Sequence, residues 1–171
     1  MTDKELNDMV YSDNPWERRT AAMNGYGLDI LVHDKAPMVR AEVARQGYRP
    51  DILVHDDYYL VRRGVAESGN CLDILINDND ADVRRAVAEQ GYRLDTLIAD
   101  CDSLVRLPAA SKANNLMALI NDSDSFVRYE VAEEEHCPED VLIELVKDDD
   151  DGVRDAAYRK MQHLVYRKLF Y

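Results

Sequence analysis

The segment from Asp34 to Gly47 reads DKAPMVRAEVARQG and contains the pattern that decides the fold. Its apolar residues Val39, Val43 and Ala44 recur with the spacing of one face of an α-helix. Gly47 follows them, and glycine commonly ends a helix because it adopts a positive φ without steric cost. The segment therefore predicts a short helix that buries one side.

The same pattern recurs along the chain every 22 residues. The dipeptide Val-Arg occurs at Val39-Arg40, Val61-Arg62, Val83-Arg84, Val105-Arg106 and Val127-Arg128, and again 26 residues later at Val153-Arg154. An aspartate precedes each arginine by six positions, at Asp34, Asp56, Asp78, Asp100, Asp122 and Asp148. Columns that keep one period over five copies indicate an array of structural repeats.

A second apolar segment follows each helix, and the segment from Pro50 to His55 is long enough only for a short α or 3₁₀ helix. Neither segment can bury its apolar side alone, so successive units must stack. We therefore expect an all-α fold, a right-handed α-solenoid of about seven short repeats, in a single domain over residues 1–171. Residues 1–27 form the expected N-terminal capping repeat, 28–152 the core repeats and 153–171 the C-terminal capping helix.

Two units depart from the pattern. The first has Ser12 in the aspartate column and Trp16-Glu17-Arg18 in place of the apolar-Val-Arg triplet, as expected of a capping repeat. In the fifth unit, Pro108 falls within the longer helix. Because its ring removes a backbone hydrogen bond and clashes one turn back, we expect a kink or a late helix start there.

The repeat resembles the leucine-rich repeat variant family and the wider group of HEAT-like superhelices. The segments that carry the resemblance are DNDADVRRAVA, from Asp78 to Ala88, and CPEDVLIELVKDDDDGVRDA, from Cys137 to Ala156. The resemblance covers about residues 12–160. It implies that each aspartate and the arginine six positions later contribute to a hydrogen-bonded ladder between repeats, from Asp34 and Arg40 to Asp148 and Arg154.

Composition excludes several functional classes. The chain has 34 acidic residues against 21 Lys and Arg, a formal net charge of −13, which disfavours direct binding of nucleic acid and favours a protein partner with a basic surface. Its three cysteines are far apart and form no CxxC pair, so we expect no cofactor and no metal. No apolar run reaches the length of a membrane span and no signal peptide is visible, so we expect a cytoplasmic protein with no membrane partner.

Catalytic chemistry is not visible in the sequence, and we expect no enzyme. His33 and His55 share a column, but no carboxylate or thiol column completes a metal shell. His136 and Cys137 are adjacent, and adjacent side chains seldom point at one another.

Two groups of residues are candidates for contact with a partner. Tyrosines follow the helix-ending glycines, and arginines follow two of them, to give a Tyr/Arg edge of Tyr26, Tyr48, Arg49, Tyr92 and Arg93. Tyrosine and arginine are enriched at binding hot spots, although the pattern slightly favours the alternative that the tyrosines only cover the turns between helices. The second group, the acidic turns, comprises Glu133, Glu134, Glu135, Asp148, Asp149, Asp150 and Asp151.

The leading hypothesis is a non-enzymatic repeat scaffold that binds another protein through a solenoid surface. One alternative is an acidic inhibitor that mimics nucleic acid and occupies a DNA- or RNA-handling protein, as in phages and mobile elements. A second is a HEAT-like DNA-binding or DNA-repair enzyme, which would need a basic face. The sequence does not fix the oligomeric state; Tyr166, Phe170 and Tyr171 either pack on the last repeat or form a homodimer contact through the C-terminal helix.

Overall fold

The fold was analysed in a computed structural model that describes the backbone of residues 1–170 and the side chains of residues 1–166. All of the regular structure in this part of the chain is helical, which confirms the all-α prediction. In chain order the elements are α1 (Asp3–Val10), α2 (Pro15–Met23), α3 (Leu28–Leu31), α4 (Pro37–Arg45), α5 (Pro50–Leu53), α6 (Tyr59–Glu67), α7 (Leu72–Leu75), α8 (Ala81–Glu89), α9 (Leu94–Leu97), α10 (Ser103–Lys112), the 3₁₀ helix η1 (Leu116–Leu119), α11 (Ser125–Glu133), α12 (Glu139–Leu145) and α13 (Asp151–Phe170).

The chain divides into two compact units, residues 1–92 and residues 93–171. In the first unit the longer helices pack in series, α2 on α4, α4 on α6 and α6 on α8, and the short helices α3, α5 and α7 pack against the longer helices on either side. In the second unit α10 packs against α9, η1 and α11, while α13 packs on α11 and α12. Each unit is therefore built from the alternating longer and shorter helices that the sequence predicts.

The repeated apolar columns form the core. Val39 and Val43 on α4 are fully buried, as the helical period predicts. The leucine column of the short helices is at most 2% exposed, at Leu31, Leu53, Leu75 and Leu97. Full burial of a leucine side chain stabilises a fold by about 2 kcal/mol. The short helices are thus held in place by packing, because four residues cannot form a stable helix alone.

Glycine ends the longer helices, as predicted. Gly47 follows α4 with a φ of 71°, in the left-handed region. In the fifth repeat the equivalent Ala113 has a φ of −78°, and the left-handed conformation moves to Asn114, with a φ of 52°. The shift accompanies a longer helix, since α10 has 10 residues where α4 has 9.

A second left-handed position immediately precedes each of four short helices, and the sequence analysis did not identify it. Gly27 occupies it before α3, with a φ of 62°. A β-carbon at Gly27 would lie 2.5 Å from a methyl carbon of Val10, so this site needs glycine. The equivalent residues do carry side chains, and they are Arg49, Cys71 and Arg93.

The structure also describes the helix that contains Pro108 and the C-terminal helix. α10 begins at Ser103 with Pro108 inside it, so the late helix start is wrong, while the kink stays a prediction. The C-terminal helix α13 begins at Asp151, and its Ala157 is buried as its apolar pattern requires. Leu169, Phe170 and Tyr171 lie outside the described side chains. In the described part of the chain, no helix is both long and apolar enough to cross a membrane.

Candidate functional site

Five arginines of the ladder each hold two repeats together, namely Arg18, Arg40, Arg62, Arg106 and Arg128. In Arg40, Nε and one terminal nitrogen donate to the two carboxylate oxygens of Asp56, at 2.6 and 2.9 Å. The other terminal nitrogen donates to the backbone carbonyl of Asp34 at 2.7 Å. The same two-pronged contact between side chains joins Arg18 to Asp34, Arg62 to Asp78, Arg106 to Asp122 and Arg128 to Asp148.

The ladder forms from the implied residues, but its carboxylate partners differ from the implied pairs. The six-residue spacing joins Arg40 to the main-chain carbonyl of Asp34, whereas the carboxylate of Asp56 is bound by Arg40 of the preceding repeat, 16 residues earlier. The planar guanidinium fork presents donors in two directions, which lets one side chain serve both partners. Arg18, which the sequence analysis placed in a capping repeat, makes the first such pair. Its position 22 residues before Arg40 is the signal that identifies it.

The aspartate of each pair is held in its charged form. The pKa of Asp122 lies below its ordinary value, chiefly because Arg106 donates hydrogen bonds to it; burial opposes this and the N–H of Asp124 supports it. At Asp56, burial is the largest influence and favours the neutral acid, yet the hydrogen bonds from Arg40 and the N–H of Tyr58 outweigh it and lower the pKa. The arginines of these pairs are therefore neutralised by buried partners and do not present a stripe for phosphate.

A second set of ion pairs runs across the longer helices of the first unit. Nε of Arg19 lies 3.3 Å from a carboxylate oxygen of Glu42, and Nε of Arg45 lies 2.7 Å from one of Glu67. Arg63 donates to the other oxygen of Glu67 at 2.7 Å. These three arginines are engaged by glutamates, which reduces the positive charge that this side of α2, α4 and α6 offers to phosphate.

The Tyr/Arg edge is less accessible than the sequence suggested. Its tyrosines Tyr26, Tyr48 and Tyr92 are all half-buried. The hydroxyl of Tyr26 donates to the carboxylate of Asp3 at 2.5 Å, which ties α1 to the turn after α2. That hydrogen bond is also the main reason that the pKa of Tyr26 is raised.

The two arginines of the edge are exposed and contact their own repeats. Arg49 donates two hydrogen bonds of 2.9 Å to Asp51, and Arg93 lies 3.9 Å from Asp95. Both arginines occupy the left-handed position before a short helix, so their side chains project from a turn. Arginine projecting from an exposed turn remains able to meet a partner, and the role of the edge in binding stays a prediction.

Some carboxylates of the acidic turns form hydrogen bonds or ion pairs within the fold, and others face solvent. Asp148 belongs to the ladder and is buried beneath Arg128, and the carboxylate of Asp150 accepts the N–H of Val153 at the start of α13. Asp149 is 92% exposed but lies 2.7 Å from a guanidinium nitrogen of Arg128. Asp148, Asp149 and Asp150 therefore all make contacts within the fold.

The remaining acidic residues lie at helix ends. Glu133 ends α11 and is bound by Arg159 at 2.9 Å, and Asp151 begins α13, where it pairs with Arg154. Glu134 is half-buried and Glu135 is exposed in the turn between α11 and α12. The structure thus places Glu135, Asp149 and Asp151 on the surface of the second unit.

A row of apolar side chains that the repeat pattern did not indicate lies on the surface of the first unit. Trp16, Met38 and Leu60 occupy equivalent positions near the N-termini of α2, α4 and α6, and we call them the apolar row. Trp16 is 61% exposed, Leu60 is 38% exposed and Met38 is half-buried. For Met38 and Leu60 the signal was their position, since an apolar residue just before the buried valine lies beside the buried helical stripe rather than within it.

The side chains of the apolar row lie on neighbouring helices. Contacts between residues 22 or 23 positions apart, such as Arg45 with Glu67 and Gln46 with the carbonyl of Met23, show that equivalent positions on α2, α4 and α6 are side by side. The row ends at α8, where Asp82 takes the equivalent position. Within the second unit, the exposed Leu104 and Phe126 occupy this column.

Exposed carboxylates flank the residues of the apolar row in the sequence, and we call these flanking charges its border. Asp13, Glu17 and Asp57 are exposed within three residues of Trp16 or Leu60 in the sequence, and Lys35 is the exposed cation of this border. Charged rims of this kind orient a partner and speed its association. The row therefore combines apolar contact area with a net negative border.

Groups with metal-binding or nucleophilic chemistry are not brought together. Among the described side chains, no cluster of three or more His, Cys, Asp or Glu has the arrangement to hold a metal ion. His33 and His55 are exposed. Cys137 is buried, and burial raises its pKa to about 11. A thiol with this pKa is a poor nucleophile at neutral pH, because the thiolate is the reactive form.

No protein-family model matches the chain, and no curated protein matches it. Among solved structures, the chain is similar to a leucine-rich repeat variant with a novel repetitive protein structural motif. The two share 24% sequence identity with a TM-score of 0.49, over 92% of this chain and 81% of that chain. The repeat architecture itself stands on the helices, the buried columns and the ladder described above.

Proposed function

We propose that this protein is a non-enzymatic repeat scaffold that binds another protein through the apolar row. The observation that carries the proposal is the in-register position of Trp16, Met38 and Leu60 on three consecutive packed helices, with Trp16 and Leu60 exposed and Met38 half-buried between them. Exposed apolar patches bordered by charge mark interaction sites more often than chance, and tryptophan is among the residues most enriched at binding hot spots. The net negative border supports a partner with a basic surface.

The nucleic-acid mimic is the second candidate, and the exposed carboxylates of the second unit favour it. Glu135, Asp140, Asp149 and Asp151 are exposed there. Such an array would compete with phosphates for a basic cleft. A DNA-binding or DNA-repair enzyme has weaker support, since the ladder arginines bind carboxylates and the arginines of the longer helices pair with glutamates.

Affinity capture with matched variants tests the proposal. The first variant replaces Trp16, Met38 and Leu60 with Asp. The matched control replaces Leu104 and Phe126 with Asp; these two residues occupy the equivalent repeat position in the second unit. Aspartate suits this column because Asp82 already occupies it at the start of α8. We expect the wild-type chain and the control to retain the same proteins from a cell lysate, and the row variant to lose them.

The competing candidates give different results in the same experiment. A mimic would lose its partner when Glu135, Asp140, Asp149 and Asp151 are neutralised, and duplex DNA would displace the partner. Capture that survives in the row variant and disappears when Tyr48 and Tyr92 are replaced by Ser would move the binding site to the Tyr/Arg edge. Either result would overturn the assignment to the apolar row.

A further inference from the structure

The spacing of the apolar row restricts the shape of the partner. Helices packed side by side lie about 8–10 Å apart, so Trp16, Met38 and Leu60 should recur at about that interval across α2, α4 and α6. A partner segment that crosses these helices must present apolar side chains with the same interval and on one face.

An α-helix satisfies that requirement and an extended strand does not. Residues seven positions apart in a helix are about 10.5 Å apart along the axis and return to nearly the same face. In a strand, an interval of about 10 Å corresponds to three residues, and the third residue points to the opposite face. Side chains two apart, which do share a face, are separated by only about 7 Å.

The border of the row restricts the charge of the partner. Asp13, Glu17 and Asp57 outnumber Lys35 among the exposed charges beside it, and Arg19 is already engaged, with its guanidinium carbon 5.9 Å from the centre of the Trp16 ring. A helix whose apolar stripe is flanked by lysine or arginine would place its cations against these carboxylates.

We propose that the apolar row binds an amphipathic helix of another protein, with apolar residues seven positions apart and basic residues on both flanks. This inference rests on the proposed function and specifies its partner. A helix of about 15 residues spans the distance from Trp16 to Leu60. Its central apolar residue would pack on Met38, the least exposed member of the row.

Trp16 supplies a direct measurement, because it is the only tryptophan in the chain. The probe is a synthetic helical peptide that contains no tryptophan, with leucines seven residues apart and lysines on both flanks. Binding should shift Trp16 emission to shorter wavelength and give a saturable titration. Two control peptides complete the set, one with the same composition and the leucines five apart, the other with glutamate in place of lysine.

A variant at the far end of the row separates binding from folding. Leu60→Asp should weaken binding of the lysine peptide by about tenfold or more while Trp16 remains as the reporter. Leu104→Asp, the matched change in the second unit, should leave the dissociation constant unchanged. Both variants should retain the helical circular dichroism of the wild type, since Asp82 shows that the column accepts aspartate.

Each outcome decides the inference. Equal binding of the five-spaced peptide overturns the proposed helix geometry, and equal binding of the glutamate peptide overturns the proposed charge. If Leu60→Asp and Leu104→Asp bind alike, the row is not the site of peptide binding. Loss of protein capture in the row variant together with no peptide binding would refute the helical partner and leave the proposed function intact.

Discussion

Gly64 on α6 lies so close to α4 that a β-carbon added to it would be 2.7 Å from the carbonyl oxygen of Ala41. The same β-carbon would lie 3.0 Å from the β-carbon of Ala44. Two longer helices thus meet through a glycine on one and a backbone carbonyl on the other. This contact sets the spacing of the two helices that carry Met38 and Leu60.

Gly64→Ala should therefore destabilise the protein although alanine is the better helix former. Alanine gains about 1 kcal/mol of helix propensity over glycine, but a clash with backbone forces the helices apart at a cost of about 1–3 kcal/mol. We expect a net loss of free energy of unfolding, measured by urea denaturation. The matched control is Gly152→Ala near the start of α13, where the nearest atom is a movable carboxylate oxygen of Asp150 at 3.1 Å. Equal effects of the two substitutions would contradict the role of the close contact.

Replacement of one ladder arginine by lysine should show how much the fork geometry contributes. Arg62 binds both oxygens of Asp78 and also donates to the carbonyl of Asp56. A lysine keeps the charge but cannot satisfy these partners together, so Arg62→Lys should lower the free energy of unfolding by about 1–3 kcal/mol. Arg49→Lys, in an exposed pair with Asp51, should leave the free energy of unfolding nearly unchanged, because water screens exposed pairs. A small effect at Arg62 would show that charge alone holds the repeats together.

The sequence predicts the repeats well because one period governs several physical requirements at once. Val39, Val43 and Gly47 must recur in step for successive helices to bury their apolar faces, so periodicity alone specifies the all-α fold. The same period identifies the ladder residues. It does not specify which carboxylate each arginine binds. Asp34 and Asp56 both lie at constant sequence separations from Arg40, and only the packing of one repeat on the next determines which carboxylate the guanidinium reaches.

The candidate site was harder to predict than the fold. The 22-residue period does not show whether a tyrosine of the Tyr/Arg edge or Trp16 of the apolar row is exposed. It identifies equivalent residues, but not how much of each side chain its neighbours cover. The left-handed conformation of Arg49 and Arg93 likewise leaves no signal in the residue type. Glycine at the equivalent Gly27 was the one visible indication.

The ladder should make stability depend on pH in a predictable direction. The pKa of Asp122 in the folded protein lies below its ordinary value, chiefly because of the hydrogen bonds from Arg106. Its contribution is therefore present above the unfolded pKa of about 4 and is lost as the pH falls through the lower folded value. Asp122→Asn should cost about 1–3 kcal/mol at neutral pH, and the difference from wild type should shrink on acidification below about pH 4.

Urea denaturation over a range of pH tests this dependence. Asp57→Asn is the control, because its exposed side chain lies outside the ladder, and it should change stability by less than about 0.5 kcal/mol. If the cost of Asp122→Asn were constant down to acidic pH, the carboxylate of Asp122 would not be held by its charge.

Relief of the left-handed conformation at Arg93 should stabilise the protein. Arg93 has a φ of 47° immediately before α9, and it lies 3.9 Å from the exposed carboxylate of Asp95. A side chain in this region costs about 1–2 kcal/mol relative to glycine, which exceeds the value of an exposed ion pair, about 0–1 kcal/mol. Arg93→Gly should thus raise the melting temperature, and Gly27→Ala should lower it because its β-carbon meets Val10. A fall in melting temperature for both variants would contradict this account.

The cysteines should react with an alkylating reagent in an order that follows burial. Cys101 is exposed, Cys71 is half-buried with a pKa raised mainly by burial, and burial raises the pKa of Cys137 to about 11. Because only the thiolate reacts readily, mass spectrometry of the folded protein should show modification at Cys101 first and at Cys137 last. Denaturant should bring all three to similar rates, since unfolded cysteines share a pKa of about 8.5. Rapid modification of Cys137 in the folded state would mean that its thiolate is stabilised, and would reopen a nucleophilic role for the pair His136 and Cys137.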